Sequence, residues 1–206
     1  MLGLFAMARI ESVIFDWGGV LIDDPAPGRM RYCAEALGVS AEDLAGALNE
    51  LIVDFQRGLI NEATFWERLC GQMRVPVPKG GSLWADGFRA AYVPREDVFS
   101  LAACLRRTGC KTAVLSNTEA PAMEYFGRLG YDMFDVLVFS CAEGIIKPER
   151  RIYEITLEKL DSQAGQTVFI DDKAEYINGA KGAGLNTILF ESIGQVKNEL
   201  ARLGVK

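Results

Sequence analysis

Short apolar runs, each closed by a polar residue, recur along this 206-residue chain. The first is Val13-Ile14-Phe15, which ends on Asp16 and is followed by Trp17-Gly18-Gly19-Val20-Leu21. Three apolar residues in a row read as a buried strand, and two glycines let the backbone turn tightly and come close to a ligand. Thr112-Ala113-Val114-Leu115 is the second such run and ends on Ser116-Asn117. Val136-Leu137-Val138-Phe139 is the third, Thr167-Val168-Phe169-Ile170 the fourth, closed by Asp171-Asp172, and Thr187-Ile188-Leu189-Phe190 the last. Helical spacing fills the gaps. One helix covers Val98 to Arg107 and stops at Gly109, and another, capped by Asn117 and Thr118, runs to Leu129. A third has Pro148 in its first turn and carries Ile152, Ile155 and Leu160; a fourth passes through Ile177 and Ala180 and stops near Gly184. Such alternation predicts an α/β fold, a doubly wound parallel sheet covered on both faces, with right-handed crossovers.

One block departs from this rhythm. Asp23-Asp24-Pro25-Ala26-Pro27-Gly28 is a cluster of turn formers that reads as the exit from the first part of the fold. From about Arg29 to Gly87 the apolar positions are helical. Ser40 and Asp43 form a capping box, with Asp in place of Glu, for a helix through Leu44, Leu48, Leu51, Ile52 and Phe55 that Gly58 ends. Asn61 caps the next, which carries Phe65, Trp66, Leu69 and Met73. After the break at 75–81 a short aromatic helix spans Leu83 to Tyr92, and Pro94 closes it. No strand pattern occurs here. The expected organisation is a Rossmann-like α/β core, residues 1–24 and 95–206, with an inserted all-helical cap, residues 25–94.

Composition narrows the chemistry. The formal charge is −6 and the chain has no histidine, which excludes Ser-His and Cys-His catalysis and His-rich zinc sites. No Lys/Arg run offsets the acidic total, so neither nucleic acid nor an anionic membrane is an expected partner. Cys33, Cys70, Cys104, Cys110 and Cys141 are odd in number and form no C-x-x-C pair, and they read as reduced thiols of a cytoplasmic protein. The apolar opening Met1 to Ala8 lacks a preceding charge and a cleavage site, so it reads as neither signal peptide nor membrane span, and Met7 is a second candidate start. A monomer or homodimer is expected.

The polar residues gather where strands end. Asp16 follows the first strand, Ser116-Asn117 the second and Asp171-Asp172 the fourth, while Lys147 lies at the start of the helix after the third. Ligands of doubly wound sheets bind beyond the carboxyl ends of strands, where the strand order reverses. Three carboxylates held together repel one another unless a cation intervenes, and a hard divalent ion, Mg²⁺, suits oxygen ligands. Lys147, Ser116 and free backbone N–H groups would then donate to a phosphate, and a carboxylate could attack phosphorus.

Phe15-Asp16-Trp17-Gly18-Gly19-Val20-Leu21, Leu115-Ser116-Asn117-Thr118, Lys147-Pro148-Glu149 with Ile152-Tyr153, and Phe169-Ile170-Asp171-Asp172 resemble, in order, the four motifs of the haloacid dehalogenase superfamily. The helical block is similar to that superfamily's cap inserted after motif one. The resemblance covers nearly the whole chain and implies a Mg²⁺-dependent phosphomonoester hydrolase with a small phosphorylated metabolite as substrate. It implies Asp16 as nucleophile, Ser116 as phosphate-binding hydroxyl and Lys147 as charge stabiliser. Trp17, Gly18, Gly19 and Asn117 would complete the substrate site, and Asp16, the Gly18 carbonyl, Asp171 and Asp172 the metal site.

Two positions depart from that pattern. Superfamily phosphatases usually carry a second Asp two residues after the nucleophile to protonate the leaving group, where this chain has Gly18. Such a loss typically costs ~10²–10⁴-fold in rate. A leaving oxygen of low pKa, as in a sugar 1-phosphate, tolerates it, and Asp23, Asp24 or the cap could supply another acid. Tyr176 stands where Asn is frequent, which bears on the support of the fourth motif. The resemblance leaves two alternatives, a metal-independent 2-haloacid dehalogenase and a silent binding domain with the same fold. The paired acids Asp171-Asp172 weigh against the first, and retention of Asp16, Ser116, Lys147 and Asp172 weighs against the second. Arg29 and Arg31 read as a solvated face of the linker rather than as contacts to a substrate anion.

Overall fold

The computed structural model describes residues 9–205, so the opening segment Met1 to Ala8 lies outside the described residues. Five parallel strands, β1 (Ser12–Phe15), β2 (Lys111–Ser116), β3 (Val136–Phe139), β4 (Thr167–Asp171) and β5 (Asn186–Leu189), form one sheet in the order β3-β2-β1-β4-β5. Phe15 is in register with Val114 on one side and Ile170 on the other. Asp16 and Asp171 each come one residue later, so the register alone sets two carboxylates side by side, and the Asp16 N–H donates to the Ile170 carbonyl at 2.9 Å.

Between β1 and β2 lie α1 (Ala26–Leu37), α2 (Ala41–Gln56), α3 (Glu62–Met73) and α4 (Leu83–Ala90). They gather around their own apolar cluster, with Phe55, Phe65, Trp66 and Trp84 at its centre. Ser40 caps α2 by accepting from the Asp43 N–H, and Asn61 caps α3 by accepting from the Thr64 N–H, as the spacing predicts. Helix α1 begins earlier than the sequence suggests. Pro27 and Gly28, read as turn formers, sit in its first turn, where a proline's missing N–H removes no helical bond.

The remaining helices are α5 (Glu96–Arg107), α6 (Ala120–Leu129), the short α7 (Ser140–Glu143), α8 (Arg150–Leu160), α9 (Ala174–Gly182) and α10 (Ile193–Arg202). The period of two along β1 divides them between layers. Val13 and Phe15 join α5, α6 and α10 in one core, and Ile14 joins α8 and α9 in the other. Helix α6 is not capped by Asn117 or Thr118, because it starts at Ala120 and the Asn117 side chain is engaged by Lys147. Pro148 likewise precedes α8, which starts at Arg150. Helix α10 was not anticipated. It closes the first layer with Val196 and Leu200, one turn apart. No helix among the described residues is long and apolar enough to cross a membrane.

Candidate active site

The ends of β1, β2 and β4 open on a cavity of about 100 Å³ whose wall includes Asp16, Trp17, Gly18, Ser116, Asn117, Lys147 and Tyr176 from the sheet side. Pro25, Arg29, Gln56 and Phe88 close it from the inserted helices. Lys147 lines it and is almost fully buried. Its Nζ lies 2.8 Å from Asp16 Oδ1 and 2.6 Å from Asp171 Oδ2. Burial works to lower its pKa, but the two carboxylates outweigh burial and hold the ammonium above its usual range. Below it the Tyr176 ring centroid is 4.7 Å from Nζ, a cation–π contact that assigns this departure from the expected Asn a supporting part.

Asp16 is buried, and its Oδ1 accepts both from Lys147 and from the Trp17 N–H at 2.7 Å. Burial pushes its carboxyl above the ordinary range, Lys147 opposes this, and the neighbouring Asp171 adds to it. Asp171 has both oxygens engaged, Oδ2 by Lys147 and Oδ1 by the Lys173 N–H at 2.8 Å. Asp172 differs. Its Oδ1 is buried with no partner among the described residues, and burial followed by the charge of Asp171 raises its pKa.

Asp16, Asp171 and Asp172 can each present an oxygen within 4.8 Å of the others. Gly19, at φ 95°, is what allows this approach, since a Cβ there would stand 2.4 Å from the Asp172 carboxylate. An orphaned buried oxygen within an all-oxygen carboxylate cluster suits a hard divalent cation. These residues fit Mg²⁺.

Asn117 lines the cavity, yet its amide is bound in both directions to the Lys147 backbone: Nδ2 donates to the carbonyl at 2.9 Å and Oδ1 accepts from the N–H at 2.7 Å. Trp17 reaches the cavity but is packed among Phe88, Phe126 and Phe139, with centroids 4.8, 4.9 and 6.1 Å away. Asp23 is tied to Arg95 at 2.9 Å, whereas Asp24 lines the cavity. Arg31 is exposed, but Arg29 is buried in the cavity wall beside Glu119, so Arg29 does not belong to a solvated face. Glu119 and Gln56 were missed, because no spacing rule marks a carboxylate three residues beyond a strand end or an amide at a helix C-terminus.

The sequence matches the haloacid dehalogenase-like hydrolase family over residues 10–184. The chain belongs to that family. It is therefore a hydrolase of this fold, and its relatives carry more than one activity in their names. It is 31% identical to the sesquiterpene phosphatase astK of Aspergillus oryzae, over 85% of this chain and 87% of the relative. With Phosphatase MT3486 of Mycobacterium tuberculosis it shares 32% identity, over 94% and 93%. A (S)-2-haloacid dehalogenase of Pseudomonas is 25% identical over 92% and 88%. In the mouse acyl-CoA dehydrogenase family member 10, 32% identical, the chain spans only 19% of the relative's length. Among solved structures, a family enzyme of Bacteroides thetaiotaomicron in complex with magnesium and inorganic phosphate superposes with a TM-score of 0.75 at 20% identity, over 91% of this chain and 98% of its own.

Proposed function

We propose that this chain is a Mg²⁺-dependent phosphomonoester hydrolase that acts on a small phosphorylated metabolite through an aspartyl-phosphate on Asp16. The observation that carries the reading is the convergence of the Asp16, Asp171 and Asp172 carboxylates, the first two of them paired with a buried Lys147. Phosphatase relatives of near full-length match support it, as does the fold neighbour that holds magnesium and phosphate.

Asp16, Asp172 and the Gly18 carbonyl would hold Mg²⁺, with Asp171 less available because Lys147 and the Lys173 N–H already take its oxygens. When bound, the ion offsets carboxylate repulsion and polarises the phosphoryl oxygens. Asp16 attacks phosphorus through one carboxylate oxygen; Lys147 and the Trp17 N–H orient the group through Oδ1, and Oδ2 has no protein hydrogen bond among the described residues. The Asp16–phosphorus bond forms as the ester oxygen leaves; water then attacks phosphorus, giving inorganic phosphate and the free carboxylate. Lys147 and the Ser116 hydroxyl donate to the phosphoryl oxygens as charge moves onto them.

With Gly18 at the usual acid position, the substrate needs a leaving oxygen of low pKa, and a sugar 1-phosphate is the preferred class. Residues 25–94 act in this reading as a cap domain on a core of 1–24 and 95–206, excluding water while phosphoryl transfer proceeds. The test is phosphate release from sugar phosphates and p-nitrophenyl phosphate, with Mg²⁺ or with EDTA, for wild type and Asp16→Asn. Release that needs both Mg²⁺ and Asp16 supports the reading. Chloride release from 2-chloropropionate that survives EDTA would make the chain a dehalogenase, and Mg²⁺ binding without turnover would make it a silent domain.

A further inference from the structure

Arg29, on α1, lines the cavity that holds Asp16 and is only 9% exposed. Its guanidinium carbon stands 4.2 Å over the Trp84 ring, which fixes its plane. Among the described residues its ion-pair partner is Glu119, at 3.5 Å. Glu119 is 1% exposed and accepts shorter bonds from elsewhere, from Trp84 Nε1 at 2.9 Å and from Gln56 Nε2 at 3.1 Å. The carboxylate is thus largely occupied by two neutral donors, and it supplies Arg29 with charge compensation more than with hydrogen bonds. Arg29 Nε is buried with no partner among the described residues.

A guanidinium has five N–H donors in a rigid fork, and buried donors without acceptors are costly. Arg29 is therefore paired well enough to stay buried and bonded too little to be satisfied. Asp16, Ser116 and Lys147 take the phosphoryl end of a ligand at the strand termini, so a group beside the inserted helices belongs to the rest of that ligand. We infer that Arg29 is a specificity-determining residue that receives a second anionic group, a carboxylate, on the leaving-group portion of the substrate; the inference rests on the phosphatase reading. A carboxylate matches the fork in geometry and charge, and Glu119 with Trp84 holds the fork in place.

The test compares ligands that differ only in that group. In the presence of Mg²⁺, 3-phosphonopropionate and propylphosphonate are titrated calorimetrically, and kcat/KM is measured for glucuronic acid 1-phosphate against glucose 1-phosphate. Wild type should favour the carboxylate-bearing member of each pair by about tenfold or more, the usual worth of one charge-assisted hydrogen bond. The preference should vanish in Arg29→Gln and persist in part in Arg29→Lys, which keeps the charge and the stem over Trp84, with thermal melting used to verify that both variants fold. Equal treatment of the two members by wild type, or a preference that survives Arg29→Gln, overturns the inference while leaving the phosphatase reading intact. If neither phosphonate binds, the phosphate site itself fails and the inference fails with it.

Discussion

The Asn117 side chain closes a two-way hydrogen-bonded clamp on the Lys147 backbone, with its Oδ1 2.7 Å from the N–H and its Nδ2 2.9 Å from the carbonyl. The clamp joins the end of β2 to the loop before α8 and fixes where the Lys147 ammonium begins its reach to Asp16. Asn117→Ala removes both bonds without touching the carboxylates. In the proposed reaction kcat should fall by about 10²-fold, the usual result of a misplacement of about 1 Å. KM should move much less, and steady-state kinetics on one ester separates the two parameters.

Lys147 offsets two buried carboxylates, Asp16 and Asp171. Lys147→Met leaves both buried without that cation, a loss expected to cost about 3–5 kcal/mol of stability. Urea unfolding in EDTA measures it. The deficit should shrink when Mg²⁺ is present, because a second cation then meets the same carboxylates. An equal deficit in both buffers would mean that the ion does not compensate for the missing ammonium.

Mg²⁺ itself should stabilise the wild type. At a hundredfold excess over its Kd the gain is about 2.7 kcal/mol, roughly 5–10 °C in melting temperature for a chain of this size. Asp172→Asn should abolish most of that shift, since Asp172 contributes the carboxylate oxygen that lacks a protein partner. Gly19→Ala should do likewise, because its Cβ would stand 2.4 Å from the Asp172 carboxylate on a backbone already at φ 95°.

Asp135 offers a pH test far from the site. Burial tends to raise its pKa, but the Thr112 N–H at 2.9 Å and the Arg106 guanidinium at 2.9 Å prevail and hold it below the usual carboxylate range. A depressed pKa in the folded state gives stability that is present above the unfolded value, near ~4, and lost as pH falls through the folded one. Asp135→Asn should therefore be less stable than wild type at neutral pH. The gap in melting temperature should narrow as pH drops below about 4.

The inner strands were legible in the sequence because full burial on both faces leaves an unbroken apolar run, as in Val168-Phe169-Ile170. The polar residues that end those runs were legible for the same reason, since a break in such a run stands out. Helix caps divided by whether a competing bond existed. Ser40 and Asn61 cap as expected, whereas Asn117 has the same local chemistry but is drawn to Lys147, thirty positions away in sequence. Helix α10 carries a local signal of the same kind, with Ser192 accepting from the Gln195 N–H and with Val196 and Leu200 buried one turn apart. The pairing of Arg29 and Glu119 lay beyond any local pattern, because it joins residues ninety positions apart across the cavity.

In the proposed reaction Asp16 takes a phosphoryl group. The most direct test is to mix enzyme, Mg²⁺ and a turned-over phosphate ester, quench with acid during steady-state turnover, and map the added phosphoryl mass by peptide mass spectrometry. That mass should fall on the peptide containing Asp16 and be absent in Asp16→Asn, with heavy oxygen from labelled water appearing in the released phosphate. Label incorporated into the Asp16 carboxylate, or a phosphoryl group on another residue, would contradict it.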